Sequence, residues 1–302
     1  MTTITIMSTR MVGIRQEMRL PLQGRSPTHA PYAGHQHHEA EPWRPARNSA
    51  LSRGEGKGCW LFIDAQASGC AGDMLCAALL DLGVPVEAIR DELSKLQLPG
   101  YDVRVVRASR SGIVAPRFVV LETSPQPARD YRQIRELLEA APIDPPAKVL
   151  ALEAFRCLAV AEAAVHGMTV DTVHFHEVGA VDSIVDIVAA SVGLAYLGVD
   201  RVVSSPLPVG SGIIRGAAHG PLPGPPPAML SVICEARIPT FDAGTSAELV
   251  TPTGACIVAA AASEFCRWPS FAPERCSYGS GTKDFRDRPN LVRLVLGRPS
   301  KQ

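Results

Sequence analysis

Residues 59–83, CWLFIDAQASGCAGDMLCAALLDLG, decide the fold. CWLFIDA is a short apolar run closed by an acid, the pattern of a buried strand. SGCAGD (68–73) is a glycine-bearing turn, and MLCAALLDLG is a helix that Gly83 stops. Strand, glycine loop and helix in that order form the unit from which α/β folds are assembled. Working outward, Val86 to Leu96 has helical spacing. YDVRVVRAS (101–109) and IVAPRFVVLET (113–123) alternate with period two around Arg110-Ser111-Gly112, which predicts an antiparallel hairpin. Helices are expected at Asp130 to Ala141 and Ala147 to His166, the second with Val149, Leu150, Leu152, Phe155, Leu158 and Val165 on one broad face. An apolar helix follows to Leu197, then VDRVVSS (199–205) as a strand and a Pro/Gly-rich connection over 206–227. Helices near Ala228 to Glu235 and Pro252 to Phe265 precede a closing strand, LVRLVLG (291–297). The expected class is α/β (mixed α+β), with a mixed or partly antiparallel sheet packed with helices.

Composition narrows the function. Thirty basic and thirty acidic residues in 302 cancel, which argues against a dedicated nucleic-acid binder and for a small-molecule or protein partner. The balance is uneven: residues 1–57 hold eight Lys/Arg and four Glu, leaving 22 basic and 26 acidic residues beyond. That first stretch mixes Arg, Pro, Gly, Ser and His without periodicity, so a disordered arm is expected over 1–57 and a single folded domain over 58–302. Its Arg bias resembles a weak transit peptide, and an over-extended gene start would look the same. His35, His37 and His38 form a loose cluster there, more in keeping with incidental histidines than with a metal site. All eight cysteines follow residue 58 without a CxxC pair, which points to reduced thiols and a cytoplasmic setting. The most apolar segment, Ile184 to Leu197, contains Asp186 and is too short to cross a bilayer, so no membrane association is expected.

The richest chemistry lies in TVHFHEVGAVDSIVDIV, residues 172–188. In an extended Val173 to Glu177 segment, His174 and His176 project from one face and Glu177 from the other. Asp182 and Asp186 lie four apart on a helix, so their carboxylates share a face near its positive amino end. Together these supply imidazole nitrogens and carboxylate oxygens, a donor set that suits Zn, Ni, Mn or Fe better than Ca or Mg. The competing reading makes Asp182 a helix cap, Asp186 an arginine's partner and the histidines satisfied by carbonyls. Asp186 between Val185 and Ile187 in an apolar helix favours a working site, because burying an unpaired carboxylate is costly. A second candidate is the loop of Asp64, Ser68, Gly69, Gly72 and Asp73, whose amides suit an anion and whose acids suit a cation. An ordinary helix start would look similar, and the lysine of a P-loop is missing. Cys70 reads as a small buried thiol. In residues 206–230, prolines and glycines surround His219 in a rigid connection that pre-positions it. ELVTPTGA (248–255) and YGSGTKDFRDRPN (278–290) offer hydroxyls, amides, Lys283 and Arg288 for phosphate or carboxylate, or serve as turn chemistry.

SGCAGDM, HFHEVGAVDSIVDIV, PLPVGSG, AHGPLPGPPPAML, ELVTPTGA and YGSGTKDFRDRPN, in that order between Cys59 and Gly297, jointly resemble the LarC family of nickel insertion proteins. The resemblance implies Ni2+ insertion into pyridinium-3,5-bisthiocarboxylic acid mononucleotide, giving the nickel-pincer cofactor of lactate racemase-type enzymes. In that setting His174, His176, Asp182 and Asp186, with His219, are the expected nickel ligands. Glu177 is the expected acceptor of the departing proton, and Asp73 is a second expected catalytic residue, placed in the loop for an anion or second cation. Asp64, Ser68, Gly69, Gly72, Lys283 and Arg288 are expected on the mononucleotide or on a second divalent cation.

The pattern departs from the family in three places. SPQPARD (124–130) stands where an internal His-rich tract is expected, and the 64–74 loop reads one residue longer. The C-terminal domain that the family links to cytidine triphosphate (CTP) is not recognised in these 302 residues. The expected partners are therefore the mononucleotide, a separate C-terminal domain and an apo-enzyme client. A non-enzymatic nickel carrier and a metal-dependent hydrolase of a small phosphorylated substrate are the competing readings.

Overall fold

The computed structural model describes residues 42–43, 48–125, 127, 129–173, 175, 181–217 and 220–300, with side chains at 215–217 left aside. Strand β1 (Trp60–Asp64) is the centre of the sheet. Its alternation divides the core. Leu61 and Ile63 join the large helix-covered cluster, whereas Phe62 packs with Val203, Phe271 and Val295 on the opposite face. The chain then turns through the glycine loop into α1 (Gly72–Leu82) and continues as α2 (Val86–Ser94). Gly83 ends α1 at φ 122°, its amide donating to the Leu79 and Leu80 carbonyls, which is the stop expected of a glycine.

The hairpin β2 (Tyr101–Arg110) and β3 (Ile113–Glu122) pairs in full antiparallel register, with Ser111 and Gly112 both at positive φ as a tight primed turn requires. Helix α3 (Tyr131–Ala140) opens with a capping box: Asp130 accepts from the Gln133 amide at 2.8 Å and Gln133 accepts from the Asp130 amide at 2.9 Å. Helix α4 (Pro145–His166) starts on proline and ends at Gly167 in the left-handed region. Its buried side is built from alanines with Phe155, Cys157 and Leu158. Val149 and Val165, expected on that face, are instead 67% and 40% exposed. Alanine's small side chain lets helices approach closely, so it, rather than the bulkier valines, occupies the contact stripe.

Helix α5 (Val181–Leu197) is buried on nearly every side, which explains why its sequence is apolar all round. Gly193 admits Leu79 of α1, whose Cδ1 lies 2.8 Å from where a Cβ would stand. Strand β4 (Arg201–Ser204) pairs parallel with β1. The Pro/Gly-rich span, expected as a connection, contains three short strands: β5 (Leu207–Val209), β6 (Gly212–Ala217) and β7 (Gly220–Gly224). Helix α6 (Pro227–Glu235) and strand β8 (Thr240–Asp242) follow, β8 pairing parallel with β5 and β6 antiparallel with β7.

Helix α7 (Pro252–Ala261) is shorter than its apolar pattern predicts, because Glu264 and Phe265 form strand β9, parallel to β4. Strands β10 (Phe271–Ser280) and β11 (Leu291–Pro299) complete a mixed sheet in the order β10-β11-β1-β4-β9. Strand β10 is absent from the sequence expectations, because its first half is polar and exposed and Tyr278–Ser280 reads as turn chemistry. The folded region also begins earlier than residue 58. Leu51 is only 4% exposed, its amide donates to the Gly83 carbonyl, and Asn48 donates to the Asp81 carbonyl. Pro42 makes a bridge to Val106 on the edge of β2. Residues 1–41 and 44–47 of the expected arm lie outside the described residues. Among the described residues no helix is long and apolar enough to cross a membrane.

Helix α1 and strand β10 meet at Gly279, where a Cβ would stand 1.9 Å from the Met74 carbonyl oxygen and 2.6 Å from the Ala78 nitrogen. Both obstacles are backbone and cannot rotate away. Gly279→Ala is expected to lower the unfolding free energy by about 2–3 kcal/mol, read as a drop in denaturation midpoint. An unchanged midpoint would contradict this packing.

Candidate functional site

Three glycines draw three helix beginnings together. Gly69, at φ +76°, lies so close to the 248–254 segment that a Cβ would stand 2.1 Å from the Leu249 carbonyl oxygen. Gly254 sits equally tightly on the Cys70 carbonyl (2.4 Å for a Cβ), and the Thr251 amide donates to that same carbonyl at 3.1 Å. Gly72, the first residue of α1, lies against Asp186 of α5, whose Cβ would be 2.8 Å from an added methyl. SGCAGD, ELVTPTG and VDSIVD, remote in sequence, are thereby packed edge to edge. The first turns of α1, α5 and α7 border one cleft of about 350 Å³, lined by Gly72, Asp73, Asp182, Asp186, Thr251 and Thr253 with Arg117 of β3. A side chamber of about 200 Å³ shares Ala71, Asp73, Glu248, Thr251 and Thr282 with it and extends to Lys283, Phe285 and Asn290.

Besides Glu248, which pairs with Lys283, the cleft holds three carboxylates in unlike settings. Asp182 is exposed at the mouth, accepting from the Ser183 amide at 2.7 Å. Asp73 accepts from the Met74 amide at 2.8 Å. Burial pushes its pKa up to about 6, opposed by that amide and by Arg117 and reinforced by Asp182. Asp186 is held well above the usual carboxylate range, first by burial and then by the charges of Asp73 and Asp182. Its Oδ1 is sealed from solvent with no hydrogen-bond partner, and its backbone carbonyl accepts the Cys76 thiol at 3.2 Å. A carboxylate crowded by two others and left unmatched is arranged for a cation. As drawn, among the described residues no three His, Cys, Asp or Glu side chains converge tightly enough to enclose a metal by themselves. His174, His176, Glu177 and His219, the sequence-derived partners of these acids, lie outside the described residues.

The other expected residues separate into two groups. Gly72 and Asp73 line the cleft and Lys283 lines its side chamber, 3.5 Å from Glu248. Asp64 is occupied elsewhere: it is paired with Arg293 at the end of β1 and accepts from the Gln66 amide at 3.2 Å. The buried Ser68 hydroxyl donates to the Pro289 carbonyl, and Gly69 serves the close approach to Leu249. Arg288 donates to Asp287 and to the Ala243 carbonyl, and neither cavity includes it. Cys70 is fully buried with its thiol pushed up to about 12 by desolvation, so it stays protonated and packs as an apolar group.

Sequence reading missed Arg117. It sits in an alternating strand where an outward-facing arginine is unremarkable, and only the way β3 lies beside α1 turns it into the cleft. Thr251 and Thr253 were legible as a helix start. Thr251 caps α7 by accepting from the Gly254 amide at 3.2 Å, with the two hydroxyls 2.8 Å apart.

The family described as "Nickel insertion protein" matches residues 61–302. Among curated proteins named for nickel insertion, one from Geotalea daltonii is 46% identical over 243 residues, 80% of this chain and 61% of its own length. One from Geobacter sp. strain M21 is 48% identical over 231 residues, 76% of this chain and 59% of its own. A third, from Thermomicrobium roseum, is 46% identical over 231 residues, 76% and 56% respectively. The chain thus spans about three fifths of the length of the curated relatives it matches. No solved structure matches it significantly.

Asp73 and Asp186 bind protons more tightly in the folded chain than in the unfolded one. The stability they contribute is therefore full below about pH 4 and is lost as pH rises, through about 6 for Asp73. Asp186→Asn removes the buried charge. It is expected to stabilise the metal-free chain by about 1–3 kcal/mol near pH 8, with the gain fading toward pH 4. Thermal melts of parent and variant across that range check this. Equal stability of the two at pH 8 would mean that Asp186 is not desolvated as described.

Proposed function

The chain belongs to the nickel insertion protein family, and from that membership we propose that its cleft delivers Ni2+ to a sulfur-bearing pyridinium mononucleotide, pyridinium-3,5-bisthiocarboxylic acid mononucleotide. The observation that carries this reading is the unmatched Asp186 carboxylate beside Asp73 and Asp182, at the meeting of three helix amino ends. Helix amino ends and one arginine favour an anion in the same cavity where carboxylates favour a cation. A chelatase needs that combination, since it holds a metal and an anionic acceptor in contact.

Nickel is the substrate here, not a resident cofactor. Asp182 and Asp186 hold it through oxygen, joined in this proposal by His174, His176 and His219. Oxygen donors are harder than thiocarboxylate sulfur, so passage of the ion to the acceptor runs toward the softer ligands. In forming the carbon–metal bond, a ring C–H bond breaks, its electron pair goes to nickel, and the proton passes to a carboxylate. No electron is exchanged. Glu177 is the proposed first acceptor. Asp73, with its pKa near 6, is suited to relay that proton at neutral pH. The nucleotide-linked C-terminal domain with its CTP, a second divalent cation and the apo-enzyme that receives the product are proposed partners of the cycle. A cytoplasmic setting is proposed with them.

Mass spectrometry after incubation with Ni2+ and the thiolated mononucleotide tests this, with and without the partner domain. A nickel-containing product is expected in at least one condition, and its absence from both would overturn insertion. Retained nickel without product would favour a carrier, and phosphate release from the mononucleotide would favour a hydrolase. Separately, Asp182→Asn with Asp186→Asn is expected to weaken Ni2+ binding about 100-fold or more, the equivalent of about 3 kcal/mol. Calorimetric titration with Ni2+ checks it. Unaltered affinity would place the metal elsewhere.

A further inference from the structure

Among the described residues, Arg117 is the cation of the cleft that has no hydrogen-bond or ion-pair partner. Among the residues lining the two cavities, the only cations are Arg117 and Lys283. Lys283 is already paired with Glu248, 3.5 Å away. Arg117 makes no salt bridge within the described residues, and its Nε is sealed from solvent without a hydrogen-bond acceptor. A desolvated guanidinium edge lacking an acceptor carries a cost, as the unmatched Asp186 oxygen does, and it calls for the opposite kind of ligand. The amino end of α7 borders the same cavity, bringing the Thr251 and Thr253 side chains with it. Asp73, Asp182 and Asp186 repel an anion, so a doubly charged group entering this cavity is best placed against Arg117 and the α7 end. An arginine fork and a helix amino terminus are together suited to a phosphate monoester.

We infer that Arg117, with Thr253 at the start of α7, forms the subsite that binds the phosphate of the nickel acceptor and turns the acceptor's pyridinium end toward Asp182 and Asp186. The inference rests on the nickel-insertion reading for what occupies the rest of the cleft. The subsite itself rests on the unmatched guanidinium. A cavity of about 350 Å³ is large enough for a mononucleotide. Arg117 is in this account a binding residue, and its role is distinct from that of a counter-charge for Asp73, which any cation there would fill.

The test uses nicotinate mononucleotide as the anionic probe, its dephosphorylated riboside as the control and Ni2+ alone as the metal probe. All are titrated calorimetrically into the parent chain and into Arg117→Gln, Arg117→Lys and Thr253→Val, with a thermal melt of each sample. The parent is expected to bind the mononucleotide more tightly than the riboside. Arg117→Gln is expected to lose about 10- to 100-fold in mononucleotide affinity, with riboside and Ni2+ binding little changed. Arg117→Lys keeps the charge and loses the fork, so it should recover only part of the loss. Thr253→Val, nearly isosteric, should show a smaller loss of the same sign.

The inference is overturned by any of three results: no mononucleotide binding by the parent, equal affinity for mononucleotide and riboside, or a folded Arg117→Gln that binds the mononucleotide as the parent does. Full recovery in Arg117→Lys would reduce Arg117 to a counter-charge and overturn the fork. If Arg117→Gln melts early, Thr253→Val and Arg117→Lys decide the matter. Mononucleotide binding that the parent shows and Arg117→Gln loses, in a parent that takes up no Ni2+, would leave the phosphate subsite standing while defeating the nickel reading.

Discussion

A carboxylate wedged between two helices, with one oxygen left unmatched, is the constraint on which the cleft depends. Asp186 projects from the largely buried α5 toward the first residue of α1, and Gly72 stands there because any side chain would collide with it. Remove the charge and α1 and α5 still pack through Leu79 and Gly193. Remove the glycine and the two helix starts cannot meet. The charged form of Asp186 carries the cost of that burial, which raises its proton affinity.

The remaining architecture brings opposite charges to the same cavity without letting them cancel. Three helix amino ends border the cavity, and Asp73 and Asp182 sit in the first turns of α1 and α5, where partial positive charge steadies them. Arg117 approaches from β3, near enough for its field to lower the proton affinity of Asp73 yet outside ion-pair distance. Had it closed onto one of the aspartates, that pair would be a structural ion pair and its charges would no longer be open to a ligand. Kept apart, the two signs define two ends of a cavity, one suited to a divalent cation and the other to an anion. That separation comes from packing: Gly69 and Gly254 hold α7 against the glycine loop, and the hairpin is anchored beside β10 by the Ser280 hydroxyl donating to the Pro116 carbonyl.

The strand, glycine loop and helix at 59–83 were legible because burial, turn chemistry and helix termination all act over a few neighbouring residues. The hairpin was legible for the same reason, its turn needing positive φ at Ser111 and Gly112. Asp182 and Asp186 could be paired in advance, since a spacing of four on a helix is a local fact. Less legible were elements whose identity depends on what they touch. The apolar run after Pro252 reads as helix to Phe265, but its last residues pair with β4 instead. Val149 and Val165 look like core until the alanine stripe of α4 takes the contact.

By itself, then, the sequence determined the local units, the acidic pair on α5 and the glycines that permit close approach, because each follows from backbone geometry and periodicity within a short window. Only the tertiary structure decided which of those units share a cavity. It tied Asp64 to Arg293, left Asp186 Oδ1 without a hydrogen-bond partner and turned Arg117 into the same cavity as the aspartates. Such pairings depend on residues more than forty positions apart, and the energy of a charge is set by the neighbours and solvent around it in space rather than by its place along the chain.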